Sequence, residues 1–280
     1  MSRTSLVARS ALVTALAVGV VTVVSVTPAA AATCGSPPGP SVDYTKCSLA
    51  GVNFSGANLS GAVFKHADLT GANLSGADLT SANFSHANLT NSNLTGTKLL
   101  FAHFQQATIS GTNFQSADFN GATLTNAQLA GANLGGVSSG NIRKPPASLP
   151  PLWQFLFGTS PFPKSPDGYL IGPGADLRSA GLENSDLSGA HLSGAKLQAA
   201  LLTGANLSGA DLTGADLSLG SEAGDPDSTD LTRANLTNAD LAGANLTGAY
   251  LTNVVWSNTV CPDGSSSVSS APQTCIGHGI

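Results

Sequence analysis

Every fifth residue from Leu49 to Leu134 is Leu, Phe or Ile, a run of 18 positions without a miss. The frame resumes for 9 positions from Leu177 to Leu217 and for 6 more from Leu231 to Trp256, 33 in all. Two residues before each of these sits a small residue, most often Ala, with Asn or Asp commonly between them. A five-residue period fits neither a 3.6-residue helix nor the two-residue alternation of a flat strand. In an extended segment the small residue and the Leu/Phe face one way and the Asn/Asp faces the other. The Ser/Thr-Gly step that follows turns a corner.

A second period tells how many corners make one circuit. Asn53, Asn73, Asn93, Asn113 and Asn133 recur every twenty residues, as do Phe64, Phe84 and Phe104. Asp78, Lys98 and Asp118 alternate in sign at the same interval, and so do Asp176, Lys196 and Asp216. Stacked strands lie about 4.8 Å apart, and stacked Asn side chains hydrogen-bond amide to amide. A circuit of fifteen would scatter these sets, so four sides of five residues is the better reading.

The unit A-(N/D)-L-(S/T)-G closely resembles the pentapeptide-repeat family, over about 165 residues in three blocks. That resemblance implies an all-β fold: a right-handed, four-sided β-helix with one pentapeptide per side. Thirty-three units predict about eight coils and a stack roughly 40 Å long at the strand spacing. The interior is expected to hold only Leu, Phe and Ala, with the serines and threonines at the turns. Both ends would expose open strand edges, which associate unless capped.

The N-terminus reads as an export signal. Arg3 and Arg9 form a basic region, Ala11 to Val26 carries no charge, and Pro28 with Ala29 to Ala32 offers a cleavage site after Ala31 or Ala32. The apolar run is short for a bilayer span, so the mature chain is expected to have no transmembrane segment. Export favours disulfides. Of the three pairings open to four cysteines, placement selects Cys34 with Cys47 before the repeats and Cys261 with Cys275 after them. Each would close a short loop, contributing on the order of 3 kcal/mol, and the two loops are the expected caps, with Trp256 as a lid on the last coil. The chain has a formal net charge of −5. Loss of Arg3 and Arg9 makes it more negative still, which gives no positive field for nucleic acid or anionic lipid.

The organisation expected is a leader over 1–32, an N-terminal cap over 33–48, a first repeat block over 47–136 and a Pro- and aromatic-rich insertion over 137–174. A second block over 175–218, an acidic loop over 219–228, a third block over 229–257 and a C-terminal cap and tail over 258–280 complete it. The insertion holds Trp153, Phe155, Phe157, Phe162 and Tyr169, a concentration that the repeat does not explain. Its prolines forbid a regular central strand, so it reads as an excursion from the coil. Its rings either pack back on the solenoid or form a partner-binding patch, and they are the candidate binding residues.

Little in the sequence points to chemistry. Glu222, Asp225, Asp227 and Asp230 lack the spacing of a calcium loop. His66 and His86 should stack with His103 nearby, but a stable zinc site needs further protein ligands. His191 over Asp211 reads as a surface pair. No phosphate loop, paired catalytic carboxylates or C-x-x-C is present. No cofactor, metal or catalytic residue is therefore expected, and the chain reads as a non-enzyme.

The favoured function is an exported structural or interaction scaffold whose partner is a protein or a cell-envelope component. The alternative, implied by the family resemblance, is a DNA-mimicking inhibitor or protector of a type II topoisomerase. Residues 175–256 carry ten acidic and three basic residues, but the acids fall on different sides of the coil. A carbohydrate-active β-helix would need an aromatic platform and paired acids, and neither is read here.

Overall fold

The computed structural model describes residues 34–157, 168–220, 228–267 and 274–279. The cleavage site at Ala31 or Ala32 lies outside them, as do Phe162, Glu222, Asp225 and Asp227.

Each pentapeptide makes one short side and one corner. In a representative unit, Asn73 points outward and its Oδ1 accepts the Ser75 N–H at 3.1 Å, the local turn that Asn and Asp side chains favour. Leu74 points inward and is fully buried. The Ala77 N–H then donates to the Leu74 carbonyl at 3.0 Å, closing a β-turn in which Gly76 has φ +65°. A turn of this kind calls for Gly at that position.

The sides stack in parallel. The Leu74 N–H donates to the Asn93 carbonyl, and the Asn93 N–H donates to the Ala72 carbonyl, each at 2.8 Å. Bridges join residues twenty apart, such as Asn53 to Asn73 and His103 to Thr123, so four five-residue sides make one coil. The Asn column is hydrogen-bonded over Asn73 to Asn53 at 3.2 Å, Asn93 to Asn73 at 3.4 Å and Asn133 to Asn113 at 3.0 Å. Asn113 turns aside to the Thr95 hydroxyl at 2.9 Å.

The core is a filled column. Phe64, Phe84 and Phe104 stack at 4.9 and 5.0 Å, and Tyr44 stacks on Phe64 at 5.4 Å. Tyr44 is fully buried, and Asp43 bridges to Val63. Coil pairing therefore begins inside the segment that the frame assigned to the N-terminal cap. The expectation of a purely apolar interior needs correction. Ser92, Thr97, Thr112, Ser185, Thr229 and Thr259 occupy the inward small-residue position and are buried. Each hydroxyl donates to a Leu carbonyl, as Ser92 does to Leu89 and Thr97 to Leu94. A buried hydroxyl is tolerated where it is hydrogen-bonded, and a carbonyl lies within reach at every corner.

Coil pairing also runs past residue 136. Ser138, Arg143 and Ser148 bridge to Asp118, Thr123 and Gln128, although Ser139 and Lys144 stand where the frame calls for Leu or Phe. Buried Val137 and Ile142 fill the interior from the small-residue position instead. The chain then leaves the coil and forms a hairpin of two antiparallel strands, β1 (Gln154–Phe157) and β2 (Gly168–Ile171). It rejoins at Asp176, which bridges back to Ser138. A second, smaller break separates Leu201 from its bridge partner Asp230. Among the described residues no helix is long and apolar enough to cross a membrane.

Cys34 is bonded to Cys47 and Cys261 to Cys275. Near the first, the Tyr44 hydroxyl donates to the Ser36 carbonyl at 2.8 Å. Near the second, the chain folds back so that Ser266 pairs antiparallel with Val260. Trp256, Cys261 and Cys275 are buried in one apolar cluster there.

Candidate functional site

The aromatic insertion is built into the stack. In β1, Phe155 lies opposite Leu170 and Leu156 opposite Tyr169. Alternation along the hairpin sends Phe155 and Leu170 to the N-terminal core cluster, and Leu156, Tyr169 and Ile171 to the C-terminal one. Trp153 packs against both. Two glycines make room for these rings: a Cβ at Gly172 would collide with the Trp153 indole, and one at Gly168 with the Phe155 ring.

Backbone groups fix the hairpin on both flanks. The Leu170 N–H donates to the Ser139 hydroxyl at 3.0 Å, and the Ile142 N–H to the Gly168 carbonyl at 3.2 Å. On the other side the Tyr169 hydroxyl accepts the Gly181 N–H at 3.2 Å. Of the five candidate binding residues, Tyr169 is buried and Trp153 and Phe155 are half-buried. Phe157 is 48% exposed, and Leu152, which precedes β1, is 55% exposed.

The histidines form a shallow polar surface. His66 and His86 stack with ring centroids 4.7 Å apart. With His103, Lys65, Asn83, Ser85 and Gln105 they line a hollow of about 450 Å³. Among the described residues no group of three or more His, Cys, Asp or Glu could hold a metal ion.

A larger polar groove of about 580 Å³ lies where the coil resumes after the hairpin. It is lined by Asp118, Asn120, Ser138, Ser139, Asp176, Arg178, Ser179, Lys196, Gln198 and Gly220, of which the alternating-charge columns at the twenty-residue period group only Asp176 with Lys196. Within it Arg178 grips Asp176 at 2.8 and 2.9 Å, and Lys196 stands 3.9 Å from the same carboxylate.

Outward aspartates are held by the turns they make. Hydrogen bonds from the Thr70 hydroxyl and N–H lower the Asp68 pKa, and those from Thr80 do the same for Asp78. Burial raises the Asp230 pKa, but hydrogen bonds from Thr232 and Thr203 outweigh it and leave the group below its ordinary value.

The family model for pentapeptide repeats matches residues 47–85, 72–111, 98–136, 173–194, 190–218 and 228–255. The chain belongs to the pentapeptide-repeat family. Membership brings with it the right-handed β-helix, in keeping with the parallel ladders and twenty-residue coil described above. No curated protein matches this pentapeptide-repeat chain. Among solved structures it is similar to HetL, a pentapeptide repeat protein involved in heterocyst differentiation regulation from the cyanobacterium Nostoc. The identity is 27% over 83% of this chain and 94% of that one, with a TM-score of 0.39. A thylakoid-lumen pentapeptide repeat protein of Arabidopsis thaliana is 33% identical over 35% of this chain and 68% of its own, with a TM-score of 0.34. A cyanobacterial one from Cyanothece is 32% identical over 34% and 58%, with a TM-score of 0.28.

Proposed function

We propose that this pentapeptide-repeat protein is an exported, non-enzymatic scaffold, acting at the cell envelope or beyond it. The observation that carries the reading is that all four cysteines are paired in two local disulfides, one beside the start of the stack and one beside its end. Such bonds persist in oxidising compartments and are rare in reducing ones. On this reading residues 1–32 are a leader removed on export, and about eight coils form a rigid rod. The segments 33–48 and 258–280 act as its caps, and the hairpin of β1 and β2 is built into the stack between them.

The rod offers a partner its flanks rather than a cleft. The core is filled, and outward Asn and Asp side chains are occupied by turns and ladders. The partner is a protein or an envelope component, and the exposed ring of Phe157, packed edge-on against Phe155, is the patch that meets it. Trp153, Phe155 and Tyr169 hold that patch in place. Duplex mimicry by the same chain has less support. It would need rows of negative charge, whereas Asp186, Asp211, Asp216 and Asp230 stand in four different bridge columns, and Lys196 lies between Asp176 and Asp216.

Expression with the native N-terminus in a secretion-competent host, followed by intact mass of the exported protein, tests the reading. The expected mass lacks the first 31 or 32 residues and is lower by four hydrogens for the two disulfides. Recovery of a chain retaining Arg3 with free thiols would overturn export and return the topoisomerase alternative to first place.

A further inference from the structure

Among the described residues, Phe101 is the one Phe, Tyr or Trp that stands at a corner of positive φ. It stands at a corner where the coils on either side place Ser81 and Gly121, and the next places Asn141. Its φ is +57°, in the left-handed region that bulky L-residues rarely enter because Cβ crowds the following carbonyl. Burial does not offset this, since Phe101 is 53% exposed. A local rule broken for a ring that stays half-exposed points toward function rather than fold.

The surroundings are fitted to the ring. It lies over Gly121, where a Cβ would come within 2.5 Å of a ring carbon, so the underlying coil leaves the space that the ring needs. Next to it is a hollow of about 330 Å³ lined by Phe101, Asn120, Gly121, Asn141 and Arg143. Asn141 and Arg143 are exposed. Asn120 also lines the larger polar groove, so the two hollows adjoin.

The strip therefore sets one aromatic ring beside amides, hydroxyls and a guanidinium. We propose that it binds a saccharide chain. One pyranose ring lays its C–H face on Phe101, and its hydroxyls meet Asn120, Asn141 and Arg143. The next sugars run into the groove toward Ser138 and Gln198. Amides and hydroxyls both donate and accept hydrogen bonds, which matches the dual character of a sugar hydroxyl, and C–H contacts with an aromatic face add weakly but favourably. A charged polymer fits less well. In the groove Asp176 is already met by Arg178 and Lys196, and Asp118 by Asn120 and Ser138. The same engagement of both carboxylates makes this a binding strip rather than a cleaving one. The inference does not rest on export, and a protein that failed to be secreted would leave it untouched.

Tetrasaccharides of β-linked N-acetylglucosamine, β-linked glucose, α-linked glucose and mannose are titrated onto the full chain, by saturation-transfer NMR and calorimetry. At least one is expected to bind at millimolar concentration or below. Phe101→Gly should weaken that binding at least tenfold with the thermal midpoint unchanged or raised, and Arg143→Ala should weaken it several-fold. No binding by any of the four sugars would overturn the proposal, as would retained binding in either variant or stronger binding of an acidic hexapeptide. A lowered midpoint in both Phe101→Gly and Phe101→Asn would also sink it, because the ring would then serve the fold.

Discussion

Phe84 and Asn83 are neighbours in sequence with opposite energetic roles. The Phe84 ring is fully buried between Phe64 and Phe104. Its replacement by Ala is expected to cost about 3–5 kcal/mol in chemical denaturation. Asn83 faces outward and accepts the Ser85 N–H at 3.0 Å, so Asn83→Ala should cost about 1 kcal/mol. Similar losses at the two positions would contradict the inward and outward assignment. The aspartates add a pH dependence. Asp68 and Asp78 have folded pKa values held below the ordinary carboxylate value by their Thr partners. A group depressed in the folded state stabilises above its unfolded pKa, and that stability disappears as pH falls through the folded pKa. Stability should therefore decline on acidification from about pH 4 downward, and Asp78→Asn should make the decline shallower in acid titrations. The inward–outward alternation is legible from any single unit, because Leu and Asn differ so strongly in hydration. The inward hydroxyls are not. A Ser or Thr at the small-residue position looks like a turn residue until the carbonyl that receives its proton is placed beside it.

At the scale of elements, the hairpin divides its rings between two tasks. Trp153 contacts both core clusters and is only partly covered, while Phe157 is 48% exposed. Trp153→Ala should lower stability by about 2–4 kcal/mol, measured as a shift in denaturant midpoint. Phe157→Ala should stay within about 0.5 kcal/mol of the parent while reducing recovery of partners from the exported fraction. An unchanged midpoint in Trp153→Ala would mean that the hairpin does not join the two halves of the core. The sequence marks this segment as exceptional through its prolines and rings, yet hides how it is used. Its faces cannot be assigned without knowing that Ile142 and Leu170 reach the N-terminal cluster while Ile171 reaches the other. The coil boundaries are hidden for a related reason. At Tyr44 the frame continues with an aromatic outside its usual alphabet, and at Val137 and Ile142 the large side chain moves to the small-residue position. A search for Leu or Phe every fifth residue stops early at both.

The described coils form a nearly one-dimensional stack, in which each coil is stabilised mainly by its two neighbours. Terminal coils have one neighbour and are the natural sites of fraying. The proposed caps act there. Cys34–Cys47 closes a separation of 13 residues and Cys261–Cys275 one of 14, each contributing up to about 3 kcal/mol by limiting the unfolded chain. In a stack, that contribution should be felt locally. A Cys34→Ser, Cys47→Ser double variant is expected to speed amide hydrogen exchange in the first two coils, around Leu49 to Leu79, and to leave the coils after Leu187 protected as in the parent. The Cys261→Ser, Cys275→Ser variant should give the mirror pattern, with faster exchange around Trp256 and Leu246 and none added near Phe64. A uniform rise along the chain in either variant would show that the disulfides stabilise one cooperative unit, and the assignment of the two loops as end caps would then fail.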